Sequence, residues 1–107
     1  MRQPGEIGLA DIPLTNGSAS KLRPVLALWN DAAEVVVAAV TSAQPRTGSD
    51  VALQRWAAAG LRVASTVRLS RLDCLEIFLL HRRLGVLAQA DAGQLQAVWT
   101  AEIKLRF

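Results

Sequence analysis

The chain has one cysteine, one histidine and no apolar run approaching the ~18 residues of a membrane span. Cys74 alone can form neither an internal disulfide nor a cysteine-based zinc cluster, because each needs several thiols. Its expected role is that of a small, half-buried residue and not of a catalytic thiol. The start, Met1-Arg2-Gln3-Pro4-Gly5-Glu6, lacks the apolar stretch that follows the charged start of a secretory signal, so a cytoplasmic protein with no membrane partner is expected. A Gly-rich phosphate loop, a His/Glu metal spacing and a serine in a nucleophile elbow are also missing, which disfavours the common enzyme classes built on them. Internal repeats and low-complexity segments are absent as well.

What is present is a 107-residue chain, enough for a single core and too short to divide, so one domain over 1–107 is expected, with any site on its surface or at a subunit interface. Half of it is apolar and a fifth charged, the balance of a soluble globular protein. Twelve basic residues against nine acidic ones give +3 and a pI near 10, which favours polyanionic partners without demanding one.

The patterning is mainly that of strands. Glu6 to Pro13 reads as a short first strand, followed by a polar loop over Thr15-Asn16-Gly17-Ser18-Ala19-Ser20. From Arg23 to Trp29 the apolar residues are consecutive, as in a strand covered on both faces, with Pro24 at its start and Asn30-Asp31 as a turn pair. Glu34 to Val40 is rich in β-branched residues and predicts a central strand ending at Thr41-Ser42. A second polar loop runs from Ala43 to Asp50, and the alanines between Gln54 and Gly60 predict a short helix that the glycine ends. Ser65 to Ser70 alternates, with Val67 and Leu69 inward and Thr66, Arg68 and Ser70 on the opposite, polar face. Ile77 to Leu87 fits a helix or a strand; Gly85 favours the strand. Asp91 is placed to cap a terminal helix whose Leu95, Val98, Trp99 and Ile103 recur at helical spacing. The expected architecture is mainly β with helices (α+β): an antiparallel sheet, a short inserted helix and a carboxy-terminal helix.

Arginines and hydroxyls at the strand ends, Arg23, Thr41, Ser42, Arg68 and Ser70, form a set able to bind and stabilise a phosphate without a cofactor or metal. Trp29 offers an aromatic face for stacking a single-stranded base or, alternatively, for packing or a dimer contact, whereas Trp56 and Trp99 lie on helical patterns and are expected in the core. His81 reads as an ordinary strand-edge residue.

Gly5-Glu6-Ile7, the loop around Gly17-Ser18, Arg23-Pro24-Val25-Leu26 and Val36-Val37-Ala38-Ala39-Val40-Thr41-Ser42 occur in that order with fitting gaps. The second half continues with Trp56 to Gly60, Ser65-Thr66-Val67-Arg68-Leu69-Ser70-Arg71-Leu72 and Arg82-Arg83-Leu84-Gly85-Val86-Leu87. Together they resemble the PemK/MazF family of toxin-antitoxin ribonucleases, PemK-like branch, over almost the whole chain. The resemblance implies a small barrel-like sheet, a homodimer, a cognate antitoxin that blocks the RNA site, a DNA-binding complex with that antitoxin, and metal-independent cleavage of single-stranded RNA by attack of the ribose 2′-hydroxyl on the adjacent phosphate.

Carried over residue by residue, it implies that Arg23 holds the scissile phosphate, that Thr41, or next to it Ser42, donates a hydrogen bond to the same phosphate, and that Arg68 acts from the later strand. Ser70 stands where the branch commonly has an acid/base carboxylate, and Ser18 where some relatives carry a histidine. The general base is therefore unassigned, because arginine, with a pKa above about 12, stabilises charge and does not accept protons. The alternative implied by a sister family of the same fold, which poisons DNA gyrase by protein contact, is a degenerate, non-catalytic binding protein.

Overall fold

The computed structural model describes residues 3–13 and 20–107. Its elements are β1 (Glu6–Pro13), β2 (Ser20–Asp31), β3 (Glu34–Thr41), β4 (Asp50–Ala52), β5 (Thr66–Glu76), a 3-10 turn (Ile77–Leu79), β6 (Leu80–Val86) and α1 (Gln89–Glu102). The strands form one antiparallel sheet in the order β4-β5-β3-β2-β1-β6, a mainly β fold with a terminal helix, as the patterning predicts.

Strands β2 and β3 are apolar on successive residues because both faces of the sheet are covered. Val25, Ala27, Val35 and Val37 join Ala10 and Leu75 on one face, while Leu26, Ala38 and Val40 join Ile7, Val51, Val67, Leu69 and Leu95 on the other. A strand buried on both sides needs this continuous run. Helix α1 lies on the second face, with Val98 and Trp99 packed against the same cluster and Ile103 just past its end. Trp56 is likewise half-buried against it. At the far edge β6 is fastened to β1 by a hydrogen bond between His81 Nε2 and Asp11 Oδ2 (2.6 Å) and an ion pair of Arg83 with Glu6 (2.5 Å). His81 is thus a residue of an edge strand, as expected.

Several local expectations are corrected. Strand β2 is longer than its apolar run: it includes Asn30 and Asp31, and the turn falls on Ala32 and Ala33, with Ala32 in the left-handed region at φ 55°. Pro24 lies inside β2, not at its start, opposite Leu9 of β1. Pairing with β3 begins only at Val25, so at Pro24 one side of the strand needs no N–H. The alanine-rich segment after β4 makes turns instead of a helix: one helical hydrogen bond, Ala59 N–H to the Arg55 carbonyl (3.1 Å), closes before Gly60 turns left-handed at φ 91°. So short a stretch cannot offset the cost of nucleating a helix. It is held by tertiary contacts. A Cβ on Gly85 of β6 would lie 2.3 Å from the Ala59 carbonyl oxygen, and one on Gly60 would lie 2.1 Å from the Leu84 carbonyl oxygen. Two glycines thus let the turn press backbone to backbone against the edge strand, which brings the two ends of the sheet order together without pairing β4 to β6.

Asp91 does not cap α1. The cap position is Ala88, and Asp91 is buried in the first turn, accepting hydrogen bonds from the backbone N–H groups of Gln54 (2.8 Å) and Arg55 (2.9 Å). It ties the helix to the turn. Cys74 is exposed on β5, not half-buried; partial desolvation and the neighbouring charges of Glu34 and Asp31 push its thiol up, away from the thiolate. The polar loop expected at 15–20 falls on residues outside those described, apart from Ser20, which opens β2.

Candidate active site

The last register pair between β2 and β3 is Val25 with Ala39. Continued by two residues, that register would set Arg23 opposite Thr41; instead the strands part there. The gap is a cleft of about 390 Å³, walled by Arg23, Pro24 and Val25 on one side and by Ala39, Val40 and Thr41 on the other. Arg46 of the β3–β4 loop and Arg68, Arg71 and Asp73 of β5 complete its polar lining. Four arginines face a single lining carboxylate, so the cleft is built for an anion.

Strand β5 enters it through an irregularity. Ala38 pairs with Leu72 and the next β3 residue, Ala39, pairs with Arg68, so Leu69, Ser70 and Arg71 bulge out of the ladder. In a regular strand Arg68 and Asp73, five apart, would point to opposite faces. Here their partners Ala39 and Val37 are two apart on β3, so both side chains fall on the same face and in the same cleft. Leu69 keeps its N–H satisfied by the Ser49 carbonyl (3.0 Å) and its side chain in the core.

Arg68 is held between two strands. It pairs with Ala39 on one side and with Asp50 of β4 on the other, and its Nε donates to Asp50 Oδ1 at 3.1 Å. Both terminal guanidinium nitrogens stay available for a ligand. Asp50 also accepts the Arg46 N–H through Oδ2 (2.9 Å), while its own N–H donates to the Thr47 carbonyl (3.1 Å). Burial alone would raise the Asp50 carboxyl; the Arg46 N–H, the Arg68 guanidinium and the Thr47 backbone outweigh it and hold the group below the ordinary carboxylate range. One buried carboxylate therefore anchors one arginine by its side chain and a second by its loop. Thr41 Oγ1 accepts the Ala43 N–H (3.2 Å), which leaves its hydroxyl proton free to donate into the cleft.

Of the residues singled out by sequence, Arg23, Thr41 and Arg68 meet in this cleft. Ser42 and Ser70 are exposed and outside its lining, Ser70 within the bulge. Trp29 is on another surface: with Leu28, Leu95 and Trp99 it lines an apolar groove of about 300 Å³ beside α1, its ring meeting Trp99 edge-on at 5.7 Å and 80°. Ser18 lies outside the described residues. Arg46, Arg71, Asp73 and Asp50 were not singled out. Arg71 lies in a bulge with no sequence signature and Asp73 just after it, and Asp50 reads as a loop residue until β4 sets it opposite Arg68. Among the described residues no three His, Cys, Asp or Glu side chains converge as a metal site.

Residues 3–100 match the profile of the PemK-like, MazF-like toxins of type II toxin-antitoxin systems. The chain belongs to that family. No curated protein matches its sequence significantly. Among solved structures, the family fold is found in an endoribonuclease in complex with its cognate antitoxin from a mycobacterial species, with TM-score 0.77 and 17% identity over 100% of this chain and 99% of that one. It is found again in the Mycobacterium tuberculosis toxin MazF-mt6, with TM-score 0.66 and 24% identity over 88% of this chain and 94% of that one. A chain of the MazE–MazF structure from Deinococcus radiodurans gives TM-score 0.68 and 14% identity over 99% and 97%. For this family member, then, the expected antiparallel fold is in place, and the arginine cleft lies where strands β2 and β3 part.

Proposed function

We propose that this toxin-family member is an endoribonuclease that cleaves single-stranded RNA without a metal or cofactor, by attack of a ribose 2′-hydroxyl on the adjacent phosphate. The observation that carries the reading is the convergence of Arg23, Thr41 and Arg68 in one cleft with two further arginines. Arg23 and Arg68 grip the scissile phosphate and offset the extra negative charge of the phosphorane, and Thr41 donates to a phosphate oxygen. Arg46 and Arg71 hold the flanking backbone, and the exposed hydroxyls of Ser42 and Ser70, outside the cleft lining, are further donors to the RNA beyond it. Trp29, in the separate groove beside α1, offers its partly exposed ring to a base further along the RNA. Membership in a toxin-antitoxin family, and a structural neighbour that is an endoribonuclease bound to its antitoxin, support this substrate and a cognate antitoxin as protein partner. We place it in the cytoplasm, as one domain over 1–107 that pairs as a homodimer; among the described residues no helix is long and apolar enough to cross a membrane.

Purified protein is incubated with single-stranded RNA in excess chelator and the products are analysed by mass. Fragments ending in a 2′,3′-cyclic phosphate, with a 5′-hydroxyl on the downstream piece, are expected. RNA that is bound and stays intact would replace the reading with a non-catalytic one.

A further inference from the structure

The nuclease reading leaves one task unfilled, removal of the proton from the attacking 2′-hydroxyl, and resting on that reading we propose that Asp73 is the proton acceptor. Arginines cannot serve, since they keep their protons. Ser70, two residues beyond Arg68, is lifted out by the bulge and does not line the cleft. Asp50 is buried with both carboxylate oxygens already engaged, by Arg68 and by the Arg46 N–H. His81 is paired with Asp11 on the other side of the sheet order, and neither lines the cleft.

Asp73 meets the requirements that the others fail. It is the single carboxylate in the cleft lining, is exposed, and its side chain has no hydrogen bond or ion pair among the described residues. The same three-residue bulge that removes Ser70 turns Asp73 onto the face of Arg68, opposite Val37 and one alternation from the Ala39–Arg68 pair. The charged groups around it are Arg71 and Arg68 on its own strand, Arg23 from β2 and Arg46 from the β3–β4 loop. A phosphate gripped by these arginines has its neighbouring ribose hydroxyl within the same small space, where a free carboxylate is the one strong acceptor. In the step, the O2′ proton passes to Asp73 as the O2′–P bond forms and the P–O5′ bond breaks. The departing 5′-oxygen takes a proton from water, and the hydroxide so formed takes the proton from Asp73, which restores the carboxylate.

The test uses the full chain and a single-stranded RNA oligonucleotide in chelator, with kcat, KM and RNA affinity measured against pH for the native protein, Asp73→Asn and Asp73→Glu. Asp73→Asn is expected to lose at least about 100-fold in kcat. It should bind RNA within about threefold of the native protein and lose the acid limb of the pH profile. Asp73→Glu should keep that limb at an intermediate rate. Asp73 is exposed, so circular dichroism should show both variants folded. If the native protein cleaves and Asp73→Asn stays within about threefold in kcat, keeps the acid limb, or loses cleavage only in step with RNA binding, the assignment falls and the nuclease reading stands. If the native protein itself leaves the RNA intact, the nuclease reading falls first.

Discussion

Asp50 shows at the level of one residue how the cleft is organised. A carboxylate this well buried is costly unless its oxygens are engaged, and here both are, by Arg68 and by the Arg46 N–H. Because its folded pKa is depressed, its contribution to stability is complete above the ordinary aspartate value of about 3.9 and is lost as pH falls through the folded pKa. Urea unfolding of the native protein and of Asp50→Asn across pH should therefore give a stability difference that is largest near neutrality and shrinks below about pH 4. A difference independent of pH would show that the carboxylate charge is not what Arg68 senses. The arginine and hydroxyl of the splayed strands were legible in the sequence, because strand ends and an apolar run locate Arg23 and Thr41. Asp50 was not, since nothing local marks a loop aspartate as the cross-strand partner of Arg68.

Elements were legible where one signal dominated. The β-branched run of β3 and the double-sided burial of β2 follow from composition, and Gly85 weighed correctly for a strand in β6. The misses have a common cause in tertiary contacts. Leu69-Ser70 continues the alternation of β5 in sequence, yet Leu69 to Arg71 fall outside the ladder, since the adjacent β3 residues Ala38 and Ala39 pair with Leu72 and Arg68. Ala57 to Ala59 favours a helix, but the segment is fixed by Asp91 below it and by Gly60 against Gly85. Both restraints can be tested by unfolding. Asp91→Ala leaves two loop N–H groups without their charged acceptor and should cost about 3 kcal/mol in urea unfolding. Gly85→Ala drives a methyl group into the Ala59 carbonyl and should cost about 2 kcal/mol, with the slope against urea unchanged. Values near zero for either would mean that the turn is not held where it lies. In the β2–β3 turn, Ala32 occupies a left-handed conformation that glycine adopts freely, so Ala32→Gly should stabilise by about 1 kcal/mol in the same measurement.

For the molecule as a whole the modest charge of +3 understates the electrostatics, because four of the twelve basic side chains gather around one cleft. Overall charge suggested a polyanionic partner only weakly; the placement of the arginines makes the case. Single-stranded RNA neutralising them should bind with a log–log salt slope of about −2 to −3, and Arg23→Ala should reduce that slope by about 0.7. A slope near zero would place the RNA elsewhere. The family and the antiparallel fold were readable from ordered motifs alone, while the depth of the cleft was not, since it comes from two strands parting beyond their last pair. On the proposed function, this cleft, and not the apolar groove beside α1, performs RNA cleavage. The most direct test is single-turnover cleavage of an RNA oligonucleotide in chelator by the native protein, Arg23→Ala and Arg68→Ala. Each variant, still folded, is predicted to cleave at least about 100-fold more slowly at saturating protein. Rates within about threefold of the native protein for both would contradict the account.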